Sequence, residues 1–261
     1  MGQFFHYYTA TNPCGNAFRA FSIQHIFYLL LVVLYIIVMV RSLKNAAPEA
    51  VHRREKLIIS LFVLGEWFYY GWNILTSPNP PYMEIIPLHL CSICVYVSAV
   101  AIFLDNEKLR RFMAVINTLG ACIAMIYPAT VDAMFPTISY RMTYFFLSHG
   151  TIFFLGIMQI RRFGYLNLGD MKFNALLLTI FTTLAFGVNM WLHTDYLFLG
   201  TPPTLGIIRL VYDAVGIRLF LPVSILMLAA LGTMALLLIN GVLYLMSQGS
   251  ARGARASAKQ Q

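Results

Sequence analysis

Seven separate stretches of this sequence are each apolar enough, over about 20 residues, to cross a bilayer. They are Phe21–Val40, Leu57–Thr76, Ile85–Leu104, Leu109–Pro128, Arg141–Ile160, Asn174–His193 and Leu219–Ser247. Lipid offers no partner for a backbone N–H or C=O, so a spanning segment must bond within itself. The fold class that follows is all-α: a polytopic membrane protein of seven transmembrane helices. Composition agrees, with 59% hydrophobic and 11% charged residues among 261, too apolar for an exterior that faces water. The chain reads as one transmembrane domain over 1–247, then a basic cytoplasmic tail over 248–261 whose Ser, Ala, Gly and Arg content reads as disordered. Met1-Gly2-Gln3 lacks the basic flank of a cleavable signal, and His6 stands where a myristoylation motif has Ser or Thr.

The net charge of +8 belongs to the loops. Arg41, Lys44, Arg53, Arg54 and Lys56 follow the first stretch, and Lys108, Arg110 and Arg111 follow the third. Arg161, Arg162 and Lys172 follow the fifth, and Arg252, Arg255 and Lys259 occupy the tail. Only Arg19, Arg141, Arg209 and Arg218 fall on the other side. Positive charge stays cytoplasmic, which places the N-terminus outside and the C-terminus inside. These charges read as topology signals and anionic-lipid contacts, so no nucleic-acid partner is expected. A cell membrane is the expected location, lipids are the expected partners, and the oligomeric state stays open.

Topology turns position into depth. Cys91 falls about 10 Å along the third stretch and His149 about 13 Å along the fifth, both entering from outside. Glu66, Tyr70 and Asn73 share one face of the second. Asn117, Thr118 and Cys122 lie on the fourth, while Asn189 and His193 end the sixth one turn apart. Polar residues in a membrane are costly and mark functional sites. Their concentration in the outer half implies an outward-opening cavity lined by helices two to six. A helix beginning at Pro87 would place Cys91 just past its first turn, where the helix dipole and an imidazole favour the thiolate.

Each residue also has a plainer role. A membrane cysteine is commonly a small inert hydrophobe, and His149 could serve only a neighbouring carbonyl. Glu66 fits a protonated structural hydrogen-bonder, and Asn117, Asn189 and Asn240 fit interhelical bonds. His89 lies about 200° around the helix from Cys91 and is poorly placed to serve the same thiol. Cys91 and Cys94 form a C-x-x-C, which also admits a thiol redox pair. No tight metal-ligand spacing or Gly-rich phosphate loop occurs, so no metal or other cofactor is expected.

Pro87-Leu88-His89-Leu90-Cys91-Ser92, Tyr140, and Phe146-Leu147-Ser148-His149-Gly150 together resemble the YwaF-type integral membrane family, related to transmembrane protein 164. Asn189, Thr194-Asp195-Tyr196-Leu197-Phe198-Leu199 and Pro202 extend the likeness, with Asp195 where that family has asparagine. The resemblance implies seven helices and lipid acyl transfer or ester hydrolysis, with Cys91 as nucleophile and His149 as its base. Glu66, Asn73, His89, Tyr144, Asn189, His193 and Tyr196 are the substrate-binding candidates, and Asn189, Tyr144 or His193 could supply an oxyanion donor. The competing reading is a transporter or receptor for a small or amphiphilic ligand, using Glu66, His149 and His193 as polar groups.

Overall fold

The computed structural model describes residues 4–9, 12–77 and 85–258, with side chains as far as 248. The N-terminal Met1-Gly2-Gln3 and the last three tail residues lie outside the described residues. Within them the chain forms α1 (Ile23–Ser42), α2 (Pro48–Thr76), α3 (Leu90–Phe103), α4 (Glu107–Ile126), α5 (Tyr140–Phe163), α6 (Leu168–Leu192) and α7 (Gly206–Ala258). A 3-10 turn, Tyr196–Phe198, lies between α6 and α7. The described residues include no named strand, only two isolated bridges.

Local chemistry sets most helix boundaries. Ser22, Asn106 and Ser139 each accept a first-turn N–H at the start of α1, α4 and α5. Asn167 and Asp170 form a reciprocal capping box on α6. Pro48 opens α2, where its missing N–H leaves nothing unsatisfied. Gly164 ends α5 with φ +64°, a conformation that disfavours a side chain.

Among the described residues, six helices are long and apolar enough to span a membrane. The third expected span is the exception. Helix α3 has 14 residues and starts at Leu90, not at Ile85 or Pro87. His89 is still extended, with φ −69° and ψ 146°, which places Cys91 inside the first turn. A second correction concerns the loop expected over Thr194–Arg218. Helix starts there at Gly206, breaks at Gly216 (φ +69°, ψ 168°) and then resumes through Pro222. The helical backbone continues to Ala258, into the segment whose composition reads as a disordered tail.

Helices α4 and α5 form the centre, and α5 also packs on α1 and α3. Close approach there requires Gly156, since a Cβ would collide with Thr118 Oγ1 and lie 3.0 Å from the Thr118 backbone nitrogen. Where α3 stops, a polar knot ties three helices together. Arg110, fully buried on α4, donates to Glu55 Oε2 of α2 at 2.9 Å and to Gln159 Oε1 of α5 at 3.0 Å. Its other nitrogens lie 2.9 Å from His52 Nδ1 and 2.8 Å from Asp105 Oδ1. Gln159 closes the ring by donating to Glu55 Oε1 at 2.8 Å. Deeper in the bundle, Asn117 donates to Ser98 Oγ at 2.9 Å across α4 and α3. Asn240 clasps both the N–H and the carbonyl of Leu166.

At the opposite end the N-terminal segment lies over the bundle. Phe18 N–H donates to Phe135 O, Cys14 N–H to Met134 O, and Trp72 Nε1 to Phe5 O. This end of the molecule also holds the start of α3.

Candidate functional site

A cavity opens between α2, α3 and α5, with about 470 Å³ of empty space including its open part. Its wall is built from helical stripes. From α2 come Glu66, Tyr69 and Tyr70, and from α5 come Arg141, Tyr144, Ser148, His149 and Ile152. Ile86, His89, Cys91 and Ser92 supply the third side, at and just before the first turn of α3. The residues named from α5 recur at three- and four-residue spacing, so one face of the helix carries them. Helices α4 and α6, expected among the walls, contribute no lining residue among those described.

His149 is buried, and its Nδ1 lies 2.7 Å from the carbonyl oxygen of Phe145, one turn earlier. A carbonyl oxygen only accepts, so Nδ1 carries the proton and Nε2 keeps its lone pair. Ser148 Oγ also donates to Phe145 O, at 3.0 Å. The backbone therefore holds the ring in the tautomer that can receive a proton at Nε2.

Cys91 is half-buried against this cavity and is a free thiol. Ser92, the next residue, lines the same cavity. Cys94 is also free, yet it is buried in the apolar core and does not line the cavity.

Glu66 is 4% exposed, and its carboxyl is approached by Tyr70, Tyr144 and Ser92, with Arg141 nearby. The two tyrosine hydroxyls are buried and neither completes a hydrogen bond of good geometry. The Arg141 guanidinium lies 5.0 Å over the Tyr69 ring, and its charge reaches Glu66, Cys91 and His149. Counted as a topology charge, Arg141 conceals its second role. The signal that reveals it is its place on the α5 stripe, three residues before Tyr144.

Of the candidates named from sequence, Glu66, His89, Cys91, Tyr144 and His149 share the cavity. The other four lie outside its lining. Asn73 is fully buried and donates to the carbonyl of Tyr69, one turn back on α2. Asn189 faces its own loop, donating to Tyr196 O and accepting from Tyr196 N–H and Thr194 Oγ1. That use removes it as an oxyanion donor. His193 is exposed at the end of α6, in a left-handed conformation with φ +53°. Tyr196 is fully buried, with its ring 5.3 Å from that of His89. Ser92, Tyr69, Tyr70, Arg141 and Ser148 are lining residues that the sequence reading did not name as site residues.

Fold and site together define a class, the multi-pass helical membrane protein with a polar cavity set among its helices. More particularly, the chain belongs to the TMEM164 family, whose model matches residues 20–244. That match runs from just before α1 into α7. No curated protein and no solved structure matches the chain.

Proposed function

We propose that this protein is a membrane-embedded acyltransferase or lipid-ester hydrolase with Cys91 as nucleophile and His149 as general base. The observation that carries the reading is that Cys91 and His149 line one cavity while the Phe145 carbonyl holds the His149 proton on Nδ1. Nε2 takes the Cys91 proton, and the thiolate adds to an ester carbonyl of a lipid. Collapse of the tetrahedral intermediate breaks the ester C–O bond. The departing alkoxide takes the proton from His149, leaving an acyl thioester on Cys91. A lipid hydroxyl or water then gives its proton to His149 and adds to the thioester. Expulsion and reprotonation of Cys91 complete the cycle. Tyr144 and Tyr70 fit the oxyanion donors, because their hydroxyls stand at the cavity beside Glu66 and complete no hydrogen bond of good geometry there. The membrane is a cell membrane, with the N-terminus outside and the C-terminus inside, as the loop charges imply.

The test is acyl turnover by purified protein in lipid nanodiscs, read by mass spectrometry. Cys91→Ala and His149→Ala should each remove nearly all turnover, and the double variant should be little worse than either, because the pair acts as a unit. An acyl adduct should be found on Cys91 in wild type. Full turnover in Cys91→Ala overturns the reading. The polar groups Glu66, Arg141 and His149 on the cavity would then favour a carrier or receptor for a polar ligand, measured as binding without turnover.

A further inference from the structure

The chain between α6 and α7 bonds mainly to itself. Asn189 grips both the N–H and the carbonyl of Tyr196, at 2.8 and 2.9 Å. Asp195, itself buried, accepts from the N–H groups of Gly200 and Thr204 and from the Thr204 hydroxyl. A side chain at position 200 would lie 2.8 Å from Asp195 Oδ1, so glycine is required there. His193, Leu197 and Phe198 all adopt positive φ, a costly run for residues with side chains. So much local bonding around strained backbone implies a shape that is held for a purpose.

The loop presents that shape to the start of α3. The rings of Tyr196 and Phe198 lie 5.3 and 6.4 Å from the ring of His89. His89 is the residue just before α3, and its side chain does not cap the helix. The start of α3 lacks the side-chain cap that secures α1, α4, α5 and α6. Cys91 comes two residues later.

We propose that Asn189 and Tyr196 are positioning residues that fix where α3 begins and thereby hold Cys91 in the cavity. The contact between Tyr196 and His89 packs against the residue that precedes this uncapped turn and fixes its place by contact, without satisfying a first-turn N–H. A shift of α3 by one residue would rotate Cys91 by about 100° and carry it off the cavity wall. The proposal rests on Cys91 being the reacting thiol, but its test does not need turnover.

The experiment follows alkylation by N-ethylmaleimide in the full chain in nanodiscs, resolved by site, with Cys122 as internal reference. The ratio of Cys91 to Cys122 rates reports the placement of Cys91 alone. Asn189→Ala should change that ratio by at least about fivefold, and any acyl turnover should fall in kcat more than KM changes. Asn189→Asp keeps the two accepted bonds but loses the bond to Tyr196 O and sets a carboxyl oxygen against that carbonyl, so it should shift the ratio in the same direction as Asn189→Ala. Tyr196→Leu keeps buried bulk without the aromatic edge and should resemble Asn189→Ala. A folded Asn189→Ala or Tyr196→Leu with an unchanged ratio overturns the proposal. If neither variant folds, the loop is a stability element and the proposal is again overturned. Full turnover in Cys91→Ala would sink the enzyme reading while leaving the alkylation result to decide this one.

Discussion

Replacing Arg110 with methionine tests the polar knot at the end of the bundle where α3 stops. The guanidinium is fully buried, and Glu55 is 3% exposed. Without it, Glu55 keeps one bond from Gln159 Nε2 but loses its only opposite charge within the knot's core. An unpaired buried charge of this kind costs about 3–5 kcal/mol. For a chain of this size that is a fall in Tm on the order of 10 °C. Replacing both Arg110 and Glu55 with methionine should recover part of that loss, since a packed apolar pair can substitute for a buried ion pair, and the remaining deficit of about 1–3 kcal/mol belongs to the buried Gln159 amide, which loses both partners. The assay is thermal unfolding of the two single variants and the double variant in one detergent, analysed as a double-mutant cycle. A small loss in Arg110→Met, with a double variant no better than the single, would refute the claim that burial sets the strength of this pair.

Gly156→Ala should destabilise by about 1–3 kcal/mol, because the new methyl group meets Thr118 on α4. Gly71→Ala and Gly187→Ala, where a Cβ meets nothing within 4 Å, should be neutral or stabilise by up to about 1 kcal/mol, read from the same melts. The Arg162 guanidinium, helped by Arg110, holds the Asp105 carboxyl below the usual carboxylate range. Its stabilisation is therefore complete above the unfolded value of about 3.9 and lost as pH falls through the lower folded value. Asp105→Asn tolerates the local φ of +47°, should cost at most about 1 kcal/mol because the site is half-exposed, and should remove that acid-side dependence in melts across pH. Cysteines placed at Asn45, Asn106 and Asn167 should label only from the cytoplasmic side, and one at the exposed Ile138 only from outside. Two neighbouring loops reacting from one side would overturn the orientation.

Hydropathy made the spans legible because each helix must satisfy its own backbone in lipid, a demand that leaves a long apolar run. The capping residues Ser22, Asn106, Ser139 and Asn167 stand next to those runs and carry their own signal. The start of α3 was harder to read. Pro87 suits a first turn, yet Leu88 N–H bonds back to Ile86 O and His89 stays extended, so the helix waits until Leu90. On the proposal above, the contact that decides this start, Tyr196 with His89, comes from a loop more than a hundred positions later. Depth alone was enough to expect Cys91 and His149 at one level, and both line one cavity. The site was illegible where rotation decided it. Arg141 and Arg110 both looked like loop charges, while one faces the cavity and the other is wholly buried. Asn189 looked like a cavity donor, although its amide closes on its own loop.

The shortness of α3 bears on the surrounding bilayer. Fourteen residues extend about 21 Å, against a hydrocarbon thickness of about 30 Å. A helix that falls short by this much draws the lipid leaflet inward beside it, since exposing apolar tails to water is worse than thinning the membrane. The exposed residues of α3, Val100 and Phe103, are at its end away from Cys91, so the helix presents its outward face beside the polar knot of Arg110. On the proposed function, a bilayer that thins beside so short a helix would shorten the path of a lipid ester to the thiol.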